Sequence, residues 1–231
     1  MAKRNMIEKD IQGRFFDILI DQKDGFDGTV LNVYQKLVFM RFDEVIKNSL
    51  PLFVEQISNA ELEKTIILFM KNTPETPFVW QVPNDFRKFV KKEKLFHDRK
   101  YLYELLYYDW IEIEIYMKEY KLKKQKKFNW DNSFRLTSSA RIKKFKFDLI
   151  NKSHETKREN YLVIYYDFET NDVLYREINP LIFFLLKYLN KKESIGQILK
   201  RICEENEIDY KEAKTLLKEP LLELYTNRVF F

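Results

Sequence analysis

The sequence predicts an α+β protein: a helical N-terminal domain over residues 1–120, a basic linker over 121–135, and a winged-helix-like domain over 136–231 with a small antiparallel sheet. Three observations predict it. Four Gly and six Pro in 231 residues leave little material for tight turns, which favours helices over an all-β sandwich. Apolar residues recur at helical spacing through the first 120 positions. After residue 140 the period falls to two, and three helical segments follow. An apolar content of 45%, with 20 Phe and 14 Tyr, is enough for a packed core and argues against disorder.

Ile7, Ile11, Phe15, Ile18 and Leu19 share one helical face, interrupted by Gly13. A second helix carries Val30, Val33, Tyr34, Leu37, Val38, Phe42, Val45 and Ile46 at spacings of three and four. It ends before Pro51, because the residue ahead of a proline avoids helical dihedrals. Ser58 and Glu61 form an S-x-x-E capping box, which satisfies amides at a helix start. Leu62, Ile66, Phe69 and Met70 carry that helix to Thr73-Pro74. The segment TPETPFVWQVPND is a proline-studded connector. Pro83 opens the next helix, with Phe86, Phe89 and Val90 inward. A long helix over about 99–120 presents Leu102, Leu105, Leu106, Asp109, Ile113, Tyr116 and Met117. Asp109, beside Trp110, sits on that apolar face and requires a partner, because a buried unpaired carboxylate is costly. Two readings stand. Asp109 and Trp110 contact a binding partner, or Asp109 is an anchor that caps a neighbouring helix or pairs with an arginine such as Arg41.

Residues 118–146 hold eleven basic residues and two acids, a net of +9 in a chain of net +5, so the remainder is net negative. KLKKQKK reads as a solvated linker or helix tail, with phosphate or an acidic surface as its possible partner. In RIKKFKFDL, Phe145, Phe147 and Leu149 alternate with Lys144, Lys146 and Asp148, the period of a half-buried strand. YLVIYYDF and VLYREI, joined by ETND, read as a hairpin with a four-residue loop. In INPLIFFLLKYLNKKESIGQILKRIC, an apolar helix over 180–191 is followed by one capped by Ser194, with Ile195, Ile198, Leu199, Ile202 and Cys203 inward. Asp209 caps a third, with Ala213, Leu216, Leu217, Leu221 and Leu224 inward. The final RVFF is a short strand or wing.

Cys203 is the only cysteine, which excludes disulfides within the chain and fits a reducing compartment. The first residues lack the apolar core of a signal peptide, and no apolar run reaches the ~20 residues of a membrane span. The expectation is a cytoplasmic protein with no membrane partner. Two histidines in polar stretches and one inward cysteine make no metal-ligand cluster, and no phosphate-cradling loop or nucleophile elbow is present. The expectation is therefore a protein without catalytic residues, metal ligands or a cofactor of its own.

A duplex-reading helix needs cations or amides on its outer face. Residues 178–231 carry nine basic and eight acidic residues, and the third helix opposes Glu212, Glu219 and Glu223 to phosphate. The shape suits DNA and the charge does not, which leaves nucleic acid to weak contacts through the basic linker. A strand edge beside a helix suits capture of an extended peptide. The peptide-binding candidates are Leu174, Arg176 and Ile178 on the strand, with Lys211, Lys214 and Lys218 on the helix.

VYQKLVFMRFDEVIKNSLPLF, NDFRKFV and YLYELLYYDWIEIEIY resemble, over about residues 10–120, the N-terminal domain of HvfC-type proteins, long labelled DNA-binding. Tyr101, Leu102, Leu105, Trp110 and Tyr116 match that pattern as they stand, whereas Asp109 replaces the usual Glu and Leu106 the usual Ala. YLVIYYDFETNDVLYREINPLIFFLLKYLNKKESIGQILKRI is similar to PqqD-like peptide-recognition elements. HvfC-type and MbnC-like proteins combine the two parts. The resemblance implies a non-catalytic partner, in a heterodimer, of a multinuclear non-haem iron oxidative enzyme. It would hold the leader of a ribosomally made precursor peptide while the iron belongs to the enzyme. The alternative is a DNA-binding transcriptional regulator using the C-terminal winged helix.

Overall fold

A computed structural model describes residues 28–72, 78–121, 124–125, 127–151 and 153–231, with side chains from residue 33 onward. The helix expected around Ile7–Leu19 and the Thr73-Pro74 break lie outside the described residues. The chain divides into two compact units, one ending at Trp110 and the other beginning at Ile111. The division falls within the helix expected over 99–120, ahead of the boundary expected at residue 120.

In the first unit α1 spans Gly28–Ser49, α2 Pro51–Glu55, α3 Asn59–Lys71, α4 Val82–Lys92 and α5 Tyr101–Tyr116, which runs on into the second. Pro51 ends α1 as expected and opens α2 at its first turn, where its missing N–H has no acceptor to lose. The Ser58–Glu61 capping box is present in both directions. Phe53, Phe69 and Phe86 meet edge-to-face at centroid distances of 6.0 and 5.3 Å around a core that includes Ile46, Leu50, Leu62, Ile66, Val90 and Leu102. Two expected faces are corrected. Val33, Tyr34 and Leu37 are exposed, and among the described side chains of α1 only Ile46 is buried. On α5 the stripe Leu102, Leu105, Leu106 and Asp109 is buried, but beyond Trp110 burial passes to Ile111 and Ile115 while Tyr116 and Met117 are exposed.

The second unit contains a three-stranded antiparallel sheet, order β1-β2-β3, with β1 Ala140–Asp148, β2 Ser153–Asp167 and β3 Asp172–Glu177. β2 is much longer than YLVIYYDF. Its first half pairs with the end of β1 through register shifts on either side of Phe147. Buried Asn160 fills the irregularity, its Nδ2 donating to the Phe147 carbonyl at 2.7 Å. The hairpin loop is Phe168–Asn171, one residue ahead of ETND. The Asp167 carboxylate accepts from the amides of Glu169 and Thr170 and from the Thr170 hydroxyl, and Asn171 takes a left-handed φ of 56°.

Three helices follow: α6 Pro180–Tyr188, α7 Ile195–Glu205 and α8 Tyr210–Thr226. Asn179, Ser194 and Asp209 cap them, each side chain accepting an amide three residues on. The inward residues expected on α7 are all buried, including Cys203. On α8 the expectation fails at Leu216, which is 67% exposed, while Ala213, Leu217, Leu221 and Leu224 are buried. The C-terminal RVFF pairs with the expected linker: Arg135 and Phe231 exchange backbone hydrogen bonds of 2.9 Å, and Leu136 bridges Phe230. Phe128 and Phe134 stack 5.7 Å apart, 11° from parallel, within the core of this unit. From Phe128 onward the segment is thus part of the folded unit, because its aromatic residues have a core to enter.

Candidate functional site

β3 is an outermost strand of the sheet. The Ile178 amide donates to the Tyr161 carbonyl at 2.8 Å, in register with the other β2–β3 pairs. Backbone direction alternates along a strand, so Leu174 and Arg176 turn their N–H and C=O groups toward β2 as Ile178 does. Val173, Tyr175 and Glu177 turn theirs to the outer side. The Val173 amide meets the Asp172 carboxylate there at 2.8 Å.

Side chains alternate across the two faces. Leu174, Arg176 and Ile178 share the face of Tyr161, Val163 and Tyr165, whose side chains belong to the helix-backed core. Ile178 is buried in that core, and Leu174 is 37% exposed. Arg176 makes a two-pronged ion pair with Glu223 of α8, at 2.5 and 2.7 Å. The next residue of the strand is tied as well. Arg158 on β2 bridges Asp148 on β1, at 2.9 and 3.1 Å, and Glu177 on β3 at 2.9 Å. The Arg158 guanidinium, with Asn151, holds the Asp148 carboxyl down at about 2, below its ordinary 3.8. Asp148 was expected on the outward side of its strand. It is buried instead and satisfied by this network.

The six peptide-binding candidates therefore fall into two groups. Leu174, Arg176 and Ile178 sit on one face of the outer strand, and Arg176 links it to α8. Lys211 lies twelve residues before Glu223, about 18 Å along the helix axis at 1.5 Å per residue. Lys214 turns to the rings of Trp130 and Tyr210, at 5.4 and 5.6 Å, and Lys218 is exposed. The lysines are thus displaced toward the start of α8, away from the strand contact at Glu223. Sequence reasoning did not single out Val173, Tyr175 and Glu177, whose backbone faces outward. Strand alternation alone cannot reveal this, because the direction of one hydrogen bond is needed to set the parity.

In the first unit Asp109 is 6% exposed, and its carboxylate accepts the Phe53 amide at 3.0 Å. Phe53 lies in the first turn of α2, whose preceding residue Leu50 has no capping side chain. Asp109 thus supplies from a distance the acceptor that α2 lacks locally. This is the bond that the helix-capping reading requires, and Arg41 pairs with Glu44. Trp110 lies beneath the Arg87 guanidinium, 4.2 Å from its centroid.

Residues 138–224 match the family model of the HvfC C-terminal domain. The matched span begins just before β1 and ends near the close of α8, so it contains the sheet, its outer strand and the Arg176–Glu223 link. It supports an HvfC-type family. No curated protein matches the chain. Among the described residues, no group of three His, Cys, Asp or Glu side chains is placed to hold a metal ion, and no helix is long and apolar enough to cross a membrane.

Proposed function

We propose that this protein is a non-catalytic accessory protein that binds the leader of a ribosomally made precursor peptide along β3 and presents it to a multinuclear non-haem iron oxidative enzyme. The C-terminal unit would work in the manner of a PqqD-like element, the peptide adding a fourth strand. The observation that carries this reading is the outer strand. The backbone of Val173, Tyr175 and Glu177 faces outward, while ion pairs at Glu177 and Arg176 hold the strand to its neighbours. A pre-ordered edge lowers the ordering cost of strand addition. The HvfC-type match over this span supports the same reading.

The test is a titration of fluorescein-labelled leader peptide and of labelled duplex DNA at two salt concentrations, with capture of the iron enzyme from a co-expressing strain. Saturable, salt-tolerant peptide binding is expected, lost when alternate peptide amides are N-methylated. Sequence-selective nanomolar binding of the duplex would overturn the reading in favour of a regulator.

A further inference from the structure

The second unit holds a cavity of about 330 Å³ that the outer strand does not line. Lys121, Arg135 and Arg228 contribute positive charge to its wall, and no acidic side chain lines it. Ser138, with Thr137 and Ser139, adds hydroxyls, and Tyr120, Phe168 and Phe231 supply aromatic surface. The fold positions these groups for identifiable reasons. The pairing of residue 135 with residue 231 sets Arg135 on one side, its guanidinium 4.4 Å from the Phe231 ring centroid. Phe168 projects from the β2–β3 loop, and Tyr120 packs on it at 6.3 Å. Arg228 occupies the left-handed position, φ 60°, of the turn that closes α8.

The Arg135 Nε–H is buried and meets no acceptor. With Arg135 and Lys121 in a wall that carries no acidic side chain, an anion entering the cavity is electrostatically favoured. The guanidinium fork matches a planar carboxylate. The cavity is large enough for more than a bare ion, and its aromatic walls suit an apolar body. We propose that this cavity is a binding site for an organic carboxylate carried on an aromatic or apolar group. The site is independent of peptide capture on β3. Its ligand is either a free small acid or the carboxyl end of a peptide, two sources with the same chemistry.

The experiment is calorimetric titration of the full chain with N-acetyl-L-phenylalanine, its neutral amide and inorganic phosphate. The acid is expected to bind saturably, with the amide at least ~10-fold weaker, because only the charged form engages the guanidinium. Arg135→Gln should weaken the acid ~10-fold or more, and Lys121→Gln about 3-fold with a shallower salt dependence. Should Arg135→Gln fail to fold by circular dichroism, Lys121→Gln on the exposed rim decides alone, and an unchanged affinity overturns the proposal. Equal binding of acid and amide, binding of neither, or phosphate binding as tightly as the acid also overturns it. A tripeptide ending in phenylalanine that binds more tightly than the acetylated acid supports the site with a peptide end as its source. Equal binding of the two supports it with a free acid.

Discussion

Replacing Asp109 by alanine removes the acceptor of the Phe53 amide in a place where nothing else can take it, since Phe53 is fully buried and Leu50 offers no cap. An unsatisfied buried donor costs about 1–3 kcal/mol, and loss of a helix cap about 0.5–2. These describe the same bond, so the expected loss is about 2 kcal/mol in the first unit. For a chain of this size, such a change lowers Tm by about 4–8 °C. Asn at this position retains a side-chain oxygen, and Asp109→Asn should lose about half as much. Thermal unfolding followed by near-ultraviolet circular dichroism reads this, paired with capture of the iron enzyme proposed above as the partner. The capping role requires that the stability loss come first and that the Asn variant rescue it partly. An alanine variant with an unchanged Tm that no longer captures the enzyme would refute the reasoning and assign Asp109 to the partner interface.

Two further outcomes follow from the second unit. The folded Asp148 carboxyl titrates at about 2, against 3.8 ordinarily, so its network contributes fully above about pH 4 and is lost as pH falls toward 2. Arg158→Gln should return the Asp148 titration, followed by carboxyl NMR, to the ordinary range, and values near 3.8 in both proteins would exclude the network as the cause. Leu216→Ser should change the urea midpoint by no more than about 0.5 kcal/mol equivalent, whereas neighbouring Leu217→Ala should cost about 2–5. Equal effects would place Leu216 back in the core.

Much of the local structure was legible because its causes are local. The Ser58–Glu61 box, the Ser194 and Asp209 caps, the helix end before Pro51 and the Pro83 helix start need only residues within one turn, and all are present. The strand character of RIKKFKFDL and YLVIYYDF was equally clear. Periodicity erred where two faces compete. Leu216 satisfies the helical spacing as well as Leu217 does, and packing selects only one of them. Asp148 follows the strand period outward until an arginine ten residues later neutralises it and makes burial tolerable.

The candidate site was read only in part. The sequence marked Leu174, Arg176 and Ile178 as a strand beside a helix, and β3 is an outer strand with Arg176 tied to α8. It could not show which backbone groups face outward, nor that Lys211 and Lys214 lie far along α8 from that tie. Neither could it foresee that RVFF would fold back on residues 135–137 and help enclose a cationic cavity. By itself the sequence determined the element types, their caps, the charge imbalance and the α+β class, because these depend on residue chemistry within a few positions. Only the tertiary structure decided strand order, bond parity, the partner of Asp109 and the grouping of Lys121, Arg135 and Arg228. Those depend on contacts between residues up to about a hundred positions apart, whose pairing no local period encodes.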